Sequence, residues 1–180
     1  YVLSSYTIAA GQVLKNLEDQ YTFIGRLAPK VQEQLLFRVF KPDWGWDQIQ
    51  RVKTAFPDIA ISKEGRLERL CKRSKLIVIT YNATVPLEVL LLNQPTVMFW
   101  NPDHWEVRAS ASPFFEKLHN AGVLHFDPVS AANFVNSIWD NPQEWWFSAP
   151  VQEARNEFCK SFAYFDKSII HSMKHELLSP

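Results

Sequence analysis

The chain has 180 residues, 47 % of them hydrophobic, and its 19 basic side chains balance its 19 acidic ones. This length and apolar content suffice for the core of one large domain or two small ones, which excludes intrinsic disorder over most of the chain. The zero net charge argues against a nucleic-acid binder that neutralises phosphates broadly, while a local basic pocket for one phosphorylated small molecule stays open.

Short apolar runs alternate with longer helical patterns, which predicts an α/β fold with a parallel sheet. The predicted strands, in chain order, are Tyr1–Ser4, Leu35–Phe40, Pro57–Ile61, Lys75–Thr80, Pro95–Trp100 and Val123–Phe126. The predicted helices cover much of Ile8–Leu27 and then Trp46–Ala55, Glu64–Arg73, Leu87–Leu92, Phe114–Asn120, Val129–Trp139 and Val151–Glu176. We therefore expect one Rossmann-like, doubly wound domain with a parallel sheet of about five strands and a long C-terminal helix.

Several motif classes are missing from the sequence. The five glycines form no GxGxxG, GxxxxGK[ST] or GxSxG, which excludes a dinucleotide fingerprint, a P-loop and a serine-hydrolase elbow. Cys71 and Cys159 are not in a CxxC spacing, so we expect reduced thiols in a cytosolic protein. No apolar run is long enough to span a bilayer. The opening YVLSSYT has neither an initiator Met nor a signal peptide, so we expect an excerpt from a longer protein.

The segment after Lys75–Thr80 is the first candidate binding site, because ligands of open parallel sheets bind outside the carboxyl ends of the strands. Pro86 is tolerated in a first helical turn and biases the residue before it away from helix, so a helix is expected to begin at Thr84 or Val85. The first N–H groups of that helix carry partial positive charge and suit a phosphate. Glu88, one turn later, can accept hydrogen bonds from the vicinal hydroxyls of a ribose.

A purely structural interpretation of the same segment is equally compatible with the pattern. In that interpretation Asn82 and Thr84 cap the helix, and Glu88 is a solvated residue that offsets the helix dipole. The pattern alone does not decide between the two.

The run TYNATVPLEVLLLNQPTVMFW resembles the [ST]-x-x-x-E-x-L-x-x-x-x-P-x-[VI] segment of GT-B-type glycosyltransferases and of related enzymes that build surface polysaccharides. Over about Arg38 to Phe165, the chain is similar to the surface-carbohydrate transferase family first described from Leptospira. Further runs carry this similarity, namely RVFKPDWGW, WNPDHWEVR, AGVLHFDPVSAA, WDNPQEWW and VQEARNEF.

GT-B enzymes consist of two Rossmann-like domains, of which the C-terminal one binds a nucleotide-activated donor. The resemblance implies that this chain is that donor-binding half, in a cytoplasmic enzyme or one at the inner membrane face. The enzyme would transfer a sugar or related unit from a nucleotide donor to an acceptor hydroxyl, and the missing N-terminal domain would bind the acceptor. We expect no cofactor, metal, nucleic-acid partner or transmembrane segment, and no catalytic residue is assigned in this chain.

One departure from the GT-B pattern concerns the turn before the helix. Many GT-B members have a Gly-Gly pair there, whereas this chain has Tyr81-Asn82-Ala83. The diphosphate is therefore expected to sit differently or to rely on side chains such as Asn82 and Thr84.

Three further residues complete the predicted donor site. Basic residues at the position of Arg38 face donor phosphates in the resembling enzymes, and a guanidinium binds phosphate oxygens bidentately. The alternative is that Arg38 points outward and pairs with a carboxylate, and Lys41 and the early Ser4 and Ser5 are weaker candidates. Asn101 and Arg108 lie in the polar run after Pro95–Trp100, which by position faces the donor's sugar, while the Trp residues there stack on a ligand or anchor the loop.

Two other kinds of function stay open. A sugar-nucleotide epimerase or a polyol-phosphate transferase would use the same scaffold. A non-catalytic interaction domain would instead present a large apolar patch away from the strand ends. His171 and His175 have the i, i+4 spacing of metal ligands, but no HExxH pattern accompanies them, so an exposed pair is expected.

Overall fold

The computed structural model describes residues 10–39, 45–62 and 66–163. The helices in this part of the chain are α1 Ala10–Arg26, α2 Pro29–Gln32, α3 Gln48–Ala55, α4 Leu67–Arg73, α5 Thr84–Leu91, α6 Ser112–Asn120, α7 Pro128–Ile138, α8 Pro142–Trp146 and α9 Ala149–Phe162. The strands are β1 Leu36–Phe37, β2 Ala60–Ile61, β3 Ile77–Ile79, β4 Thr96–Phe99 and β5 Leu124–His125.

All strand pairs in the described residues are parallel, which confirms the predicted mixed α/β class. β1 pairs with β2, and β4 lies between β3 and β5. The described strands therefore form two sheets of two and three strands, and the expected single sheet of about five strands is not seen among them. No strand pairing among the described residues joins β1 or β2 to the sheet of β3, β4 and β5. The strand predicted at Tyr1–Ser4 is outside the described residues.

Strand β4 is the centre of the core because all four of its residues are buried. Side chains alternate between the two faces of a strand, so Met98 packs in one hydrophobic cluster while Val97 and Phe99 pack in another. The register continues this alternation, with Ile79 beside Met98 in the first cluster. A sheet buried on both faces explains the unbroken apolar runs of its strands.

Helices cover both faces of the three-stranded sheet. The first cluster contains residues of α4, α5, α6, α8 and α9, including Cys71 of α4. The second contains residues of α1, α2, α3 and α7, including Val52 of α3 and Ala131 of α7. The chain thus changes from one face to the other between α3 and α4, returns at α7 and changes again before α8.

The sequence pattern located most elements and missed two short ones. α2 and α8 each begin with a proline, which is favoured in the first turn of a helix. α8 is nevertheless part of the core, since Trp146 is fully buried and its indole N–H donates to the side-chain oxygen of Asn93 at 2.9 Å. The predictions for Lys41, for His171 and His175, and for the last part of the C-terminal helix concern residues outside the described ranges.

The described residues bear on the predictions about membrane spans and cysteines. No helix among them is both long and apolar enough to cross a bilayer. Cys71 and Cys159 are buried and form no disulfide.

Gly122 ends α6 in the way that its sequence position predicts. Its φ is +76°, and its N–H donates to the carbonyl of His119 while the next N–H, of Val123, donates to that of Leu118. This pair of hydrogen bonds defines a Schellman motif, which satisfies the last carbonyls of the helix. A Cβ at Gly122 would also lie 2.8 Å from the ring of Phe134.

We expect Gly122→Ala to lower the free energy of unfolding by about 1–3 kcal/mol, because a left-handed backbone and a steric clash are both imposed. Gly25→Ala is the matched control, since Gly25 lies in α1 with open space around the position of a Cβ. It should stabilise the protein by about 0.5–1 kcal/mol through helix propensity. Denaturant unfolding curves measure both changes, and a Gly122→Ala protein as stable as wild type would contradict the prediction.

Candidate functional site

The carboxyl end of β3 is joined to α1 by a network of side-chain amides. Asn16 Nδ2 donates to the carbonyl of Thr80 at 2.9 Å, and Gln20 Nε2 donates to Thr80 Oγ1 at 2.9 Å. Gln20 Nε2 also donates to Asn16 Oδ1 at 2.7 Å. The sequence pattern missed Asn16 and Gln20, because nothing in a helical repeat shows which strand its polar face will meet.

Helix α5 begins at Thr84, as predicted, beside this end of β3. Its N-cap residue is Ala83, whose methyl side chain cannot accept a hydrogen bond, so the interpretation of Thr84 as the cap is wrong. Ala83 and Thr84 are exposed and Asn82 is half-buried. The positive end of the α5 dipole is therefore open to solvent without a side-chain cap, and such an end attracts anions.

The opposite end of α5 is anchored by α9. Arg155 Nε donates to the carbonyl of Leu90 at 2.6 Å, and Arg155 Nη2 donates to that of Leu91 at 3.3 Å. A cation at a helix C-terminus offsets the dipole there and satisfies carbonyls that have no partner within the helix. Asn93, with a φ of +52°, accepts hydrogen bonds from Trp146 and Gln152 just beyond.

Arg38 and Glu88 lie near the same thiol although they are distant in sequence. Burial raises the pKa of Cys71 in α4, the charge of Arg38 lowers that pKa, and the charge of Glu88 raises it. Both side chains are exposed. Two exposed charges, one after β1 and one in α5, thus act on the same buried residue of α4.

Asn101 and Arg108 are at the two ends of the loop that follows β4. Asn101 Oδ1 accepts a hydrogen bond from the Asp103 N–H at 2.9 Å, so this oxygen holds its own turn. The carbonyl of Arg108 accepts the N–H groups of Ala111 and Ser112 at the start of α6, while its side chain is exposed. Both residues therefore shape the loop, and their predicted contact with a donor stays a prediction.

The aromatic residues of this loop face both the core and a pocket. Trp100 and Trp105 are buried, with 2 % and 8 % of their surface exposed, as expected for anchoring residues. They also line a pocket of about 190 Å³ at the carboxyl ends of β4 and β5. A second pocket, of about 260 Å³, lies between α6 and α9, and Asn82, Thr84 and Glu88 line neither of the two.

His125, at the end of β5, is buried and has a partner at both ring nitrogens. Its Nε2 is 3.1 Å from the carbonyl oxygen of Gly122, and its Nδ1 is 2.8 Å from Ser130 Oγ. Because a carbonyl only accepts, Nε2 carries the proton and Nδ1 accepts from the Ser130 hydroxyl. Burial is the main cause that lowers the pKa of His125. The hydrogen bond to the Gly122 carbonyl and the charge of Asp127 raise that pKa, and the charge of His119 lowers it.

We expect His125 to make stability pH-dependent. In the unfolded chain a histidine titrates near pH 6.5, and in the folded chain the pKa is lower, so the unfolded state binds more protons between the two values. The stabilisation is complete above about pH 6.5 and is lost as the pH falls towards the folded pKa. From unfolding curves, the free energy of unfolding should differ less between pH 7.5 and pH 5.5 for His125→Gln than for wild type or for the control His104→Gln. Equal differences in all three proteins would contradict this assignment.

No group of three or more His, Cys, Asp or Glu side chains in the described part of the chain could hold a metal ion.

Comparison with protein-family models places the sequence among the transferases. The model of the LIC12162 family transferase matches residues 1–177, almost the whole chain, so the chain belongs to that family. The resemblance seen in the sequence motifs is thereby confirmed at the level of the family. The searches of curated proteins and of solved structures give no match.

Proposed function

We propose that the chain is the donor-binding domain of a GT-B-like glycosyltransferase that works in the cytoplasm on bacterial surface polysaccharides. The enzyme transfers a sugar or related unit from a nucleotide donor to an acceptor hydroxyl. The transferase family supports the reaction class. The observation that carries the donor site is the exposed, uncapped start of α5 at the carboxyl end of β3.

The topology of the described strands supports a Rossmann-like sheet. In the doubly wound order 3-2-1-4-5-6, the first strand is central and the helices change faces after the third. β1 and β2 fit positions two and three, and β3, β4 and β5 fit positions four to six. One more strand between β1 and β3 would complete this order, and the strand predicted at Tyr1–Ser4 lies outside the described residues. The helices change faces between α3 and α4, as this order requires.

The position of the candidate residues follows from that order. Ligands bind at the point where the strand order reverses, which in this arrangement adjoins the carboxyl end of β3. Arg38 follows β1, and Asn82, Thr84 and Glu88 follow β3. A diphosphate at the start of α5 is then within the field of Arg38, and a ribose one turn along the helix meets the carboxylate of Glu88.

The chain's contribution to catalysis is positioning and charge stabilisation. The first N–H groups of α5 and the guanidinium of Arg38 stabilise the negative charge that develops on the departing diphosphate. The anchored C-terminal end of α5 keeps those N–H groups fixed, so little reorganisation is needed when the charge develops. Asn101 and Arg108 contact the donor's sugar, and the acceptor and its catalytic base belong to the partner domain.

Calorimetric titration of the full-length enzyme with UDP, GDP, CDP and CMP tests the donor site. We expect one of them to bind, and we expect Arg38→Gln to weaken that binding by roughly 10- to 100-fold, the effect of losing a charged hydrogen-bond donor. Glu88→Ala should weaken it as well, through the lost ribose contact. Arg73→Gln and Glu33→Ala are matched controls, because Arg73 ends α4, Glu33 directly follows α2, and both are exposed and outside the proposed donor site. Both variants should leave the affinity unchanged.

The absence of binding by all four nucleotides would refute the donor-site assignment. Affinities that fall equally in the controls would show a loss of fold instead of a loss of contact. If a nucleotide binds, product analysis with an acceptor separates sugar transfer from epimerisation and from polyol-phosphate transfer on the same scaffold.

A further inference from the structure

The pocket at the carboxyl ends of β4 and β5 is not explained by the nucleotide contacts above. Its volume of about 190 Å³ is below the roughly 300–1,000 Å³ typical of pockets that hold drug-sized ligands. It therefore fits one ring and not a whole nucleotide. Its position at the sheet edge is where open parallel sheets bind ligands.

Four of the nine residues that line the pocket are aromatic. Trp100 follows β4, Trp105 belongs to the loop, Phe115 comes from α6 and Phe126 follows β5. Trp100 and Phe115 pack edge to face, with ring centroids 6.1 Å apart, which makes this part of the wall rigid. Phe126 is 41 % exposed and can give surface to a ligand without disturbing the core.

The polar residues of the pocket lie on one side, at the start of α6. Glu116 is exposed, and its carboxylate forms no ion pair with any described residue. The Ser112 hydroxyl donates to the carbonyl of Arg108 at 3.4 Å, which leaves its oxygen as an acceptor. An ionised carboxylate only accepts hydrogen bonds, so these two groups match a ligand rich in hydroxyl donors.

The wall of the pocket lies beside the residues that precede α5. Tyr81, just before α5, has its ring centroid 6.4 Å from that of Trp105 in the pocket wall. The charges of Arg38 and Glu88 act on Cys71 of α4. When the phosphates of a donor sit at the start of α5 and its ribose meets Glu88, its transferred unit is therefore within reach of Trp105.

We propose that the pocket lined by Trp100, Trp105, Phe126 and Glu116 binds the transferred unit of the donor as a single hydroxylated ring. This rests on the proposed function for the identity of the molecule that carries the ring. The aromatic walls cover the C–H face of the ring, and the Glu116 carboxylate accepts from its hydroxyl groups. A nucleobase is the rival occupant, and the experiment below separates the two.

The test compares nucleotide sugars with their parent nucleotides on the full-length enzyme. Calorimetry compares UDP-glucose, UDP-N-acetylglucosamine and GDP-mannose with UDP and GDP. At least one sugar conjugate should bind with an affinity about tenfold higher than its parent nucleotide, and this gain in affinity is equivalent to about 1.4 kcal/mol. Phe126→Ala and Glu116→Gln should abolish that gain and leave the affinity for the parent nucleotide within about twofold. Phe147→Ala is the matched control, since Phe147 is 56 % exposed and lies outside the pocket.

Each other outcome has a distinct meaning. A gain that survives both pocket variants, or no gain for any conjugate, overturns the ring subsite and leaves the donor site standing. A Phe126→Ala protein that loses affinity for the parent nucleotide overturns it in favour of a nucleobase.

Failure of every nucleotide to bind refutes the proposed function and not the pocket. Saturation-transfer NMR with the methyl glycosides of glucose, mannose and N-acetylglucosamine then tests whether the pocket binds a sugar ring. A signal that disappears in Phe126→Ala and persists in Phe147→Ala supports the ring subsite, and the absence of any signal overturns it.

Discussion

The attachment of α5 is the constraint on which the candidate site depends. Its buried residues Val89 and Leu90 pack against the three-stranded sheet, and Arg155 of α9 binds its last carbonyls. Both interactions act on the side and the far end of the helix, and its first residue, Thr84, is exposed. Because the helix is fixed at one end and by one face, the N–H groups of its first turn keep a constant position at the sheet edge, as an anion site requires.

The sheet edge combines residues that the chain separates by many positions. Asn16 and Gln20 of α1 bind Thr80 at the end of β3, and the charges of Arg38 and Glu88 act on one thiol. A parallel sheet produces this convergence, since all its strands end at the same edge and each crossover returns the chain to it. The polar residues after different strands therefore become neighbours without any local sequence motif.

The two sides of this edge differ in chemistry. The exposed charges of Arg38 and Glu88 act on α4, whereas the end of β5 lines an aromatic pocket whose one carboxylate forms no ion pair with a described residue. An extended ligand with a charged centre and two different ends would meet different chemistry along its length. A nucleotide-activated donor has this form, with a phosphate bridge between a nucleoside and the transferred unit.

The sequence by itself determined the α/β class, the parallel strands and the start of α5, because apolar runs and prolines act locally on the backbone. It also determined the family, through motifs spread along the chain. Only the tertiary structure decided that Ala83 and not Thr84 is the N-cap, that α8 buries Trp146, and that Asn16 and Gln20 meet Thr80. These features depend on which distant elements pack together, and a local pattern of residues does not contain that information.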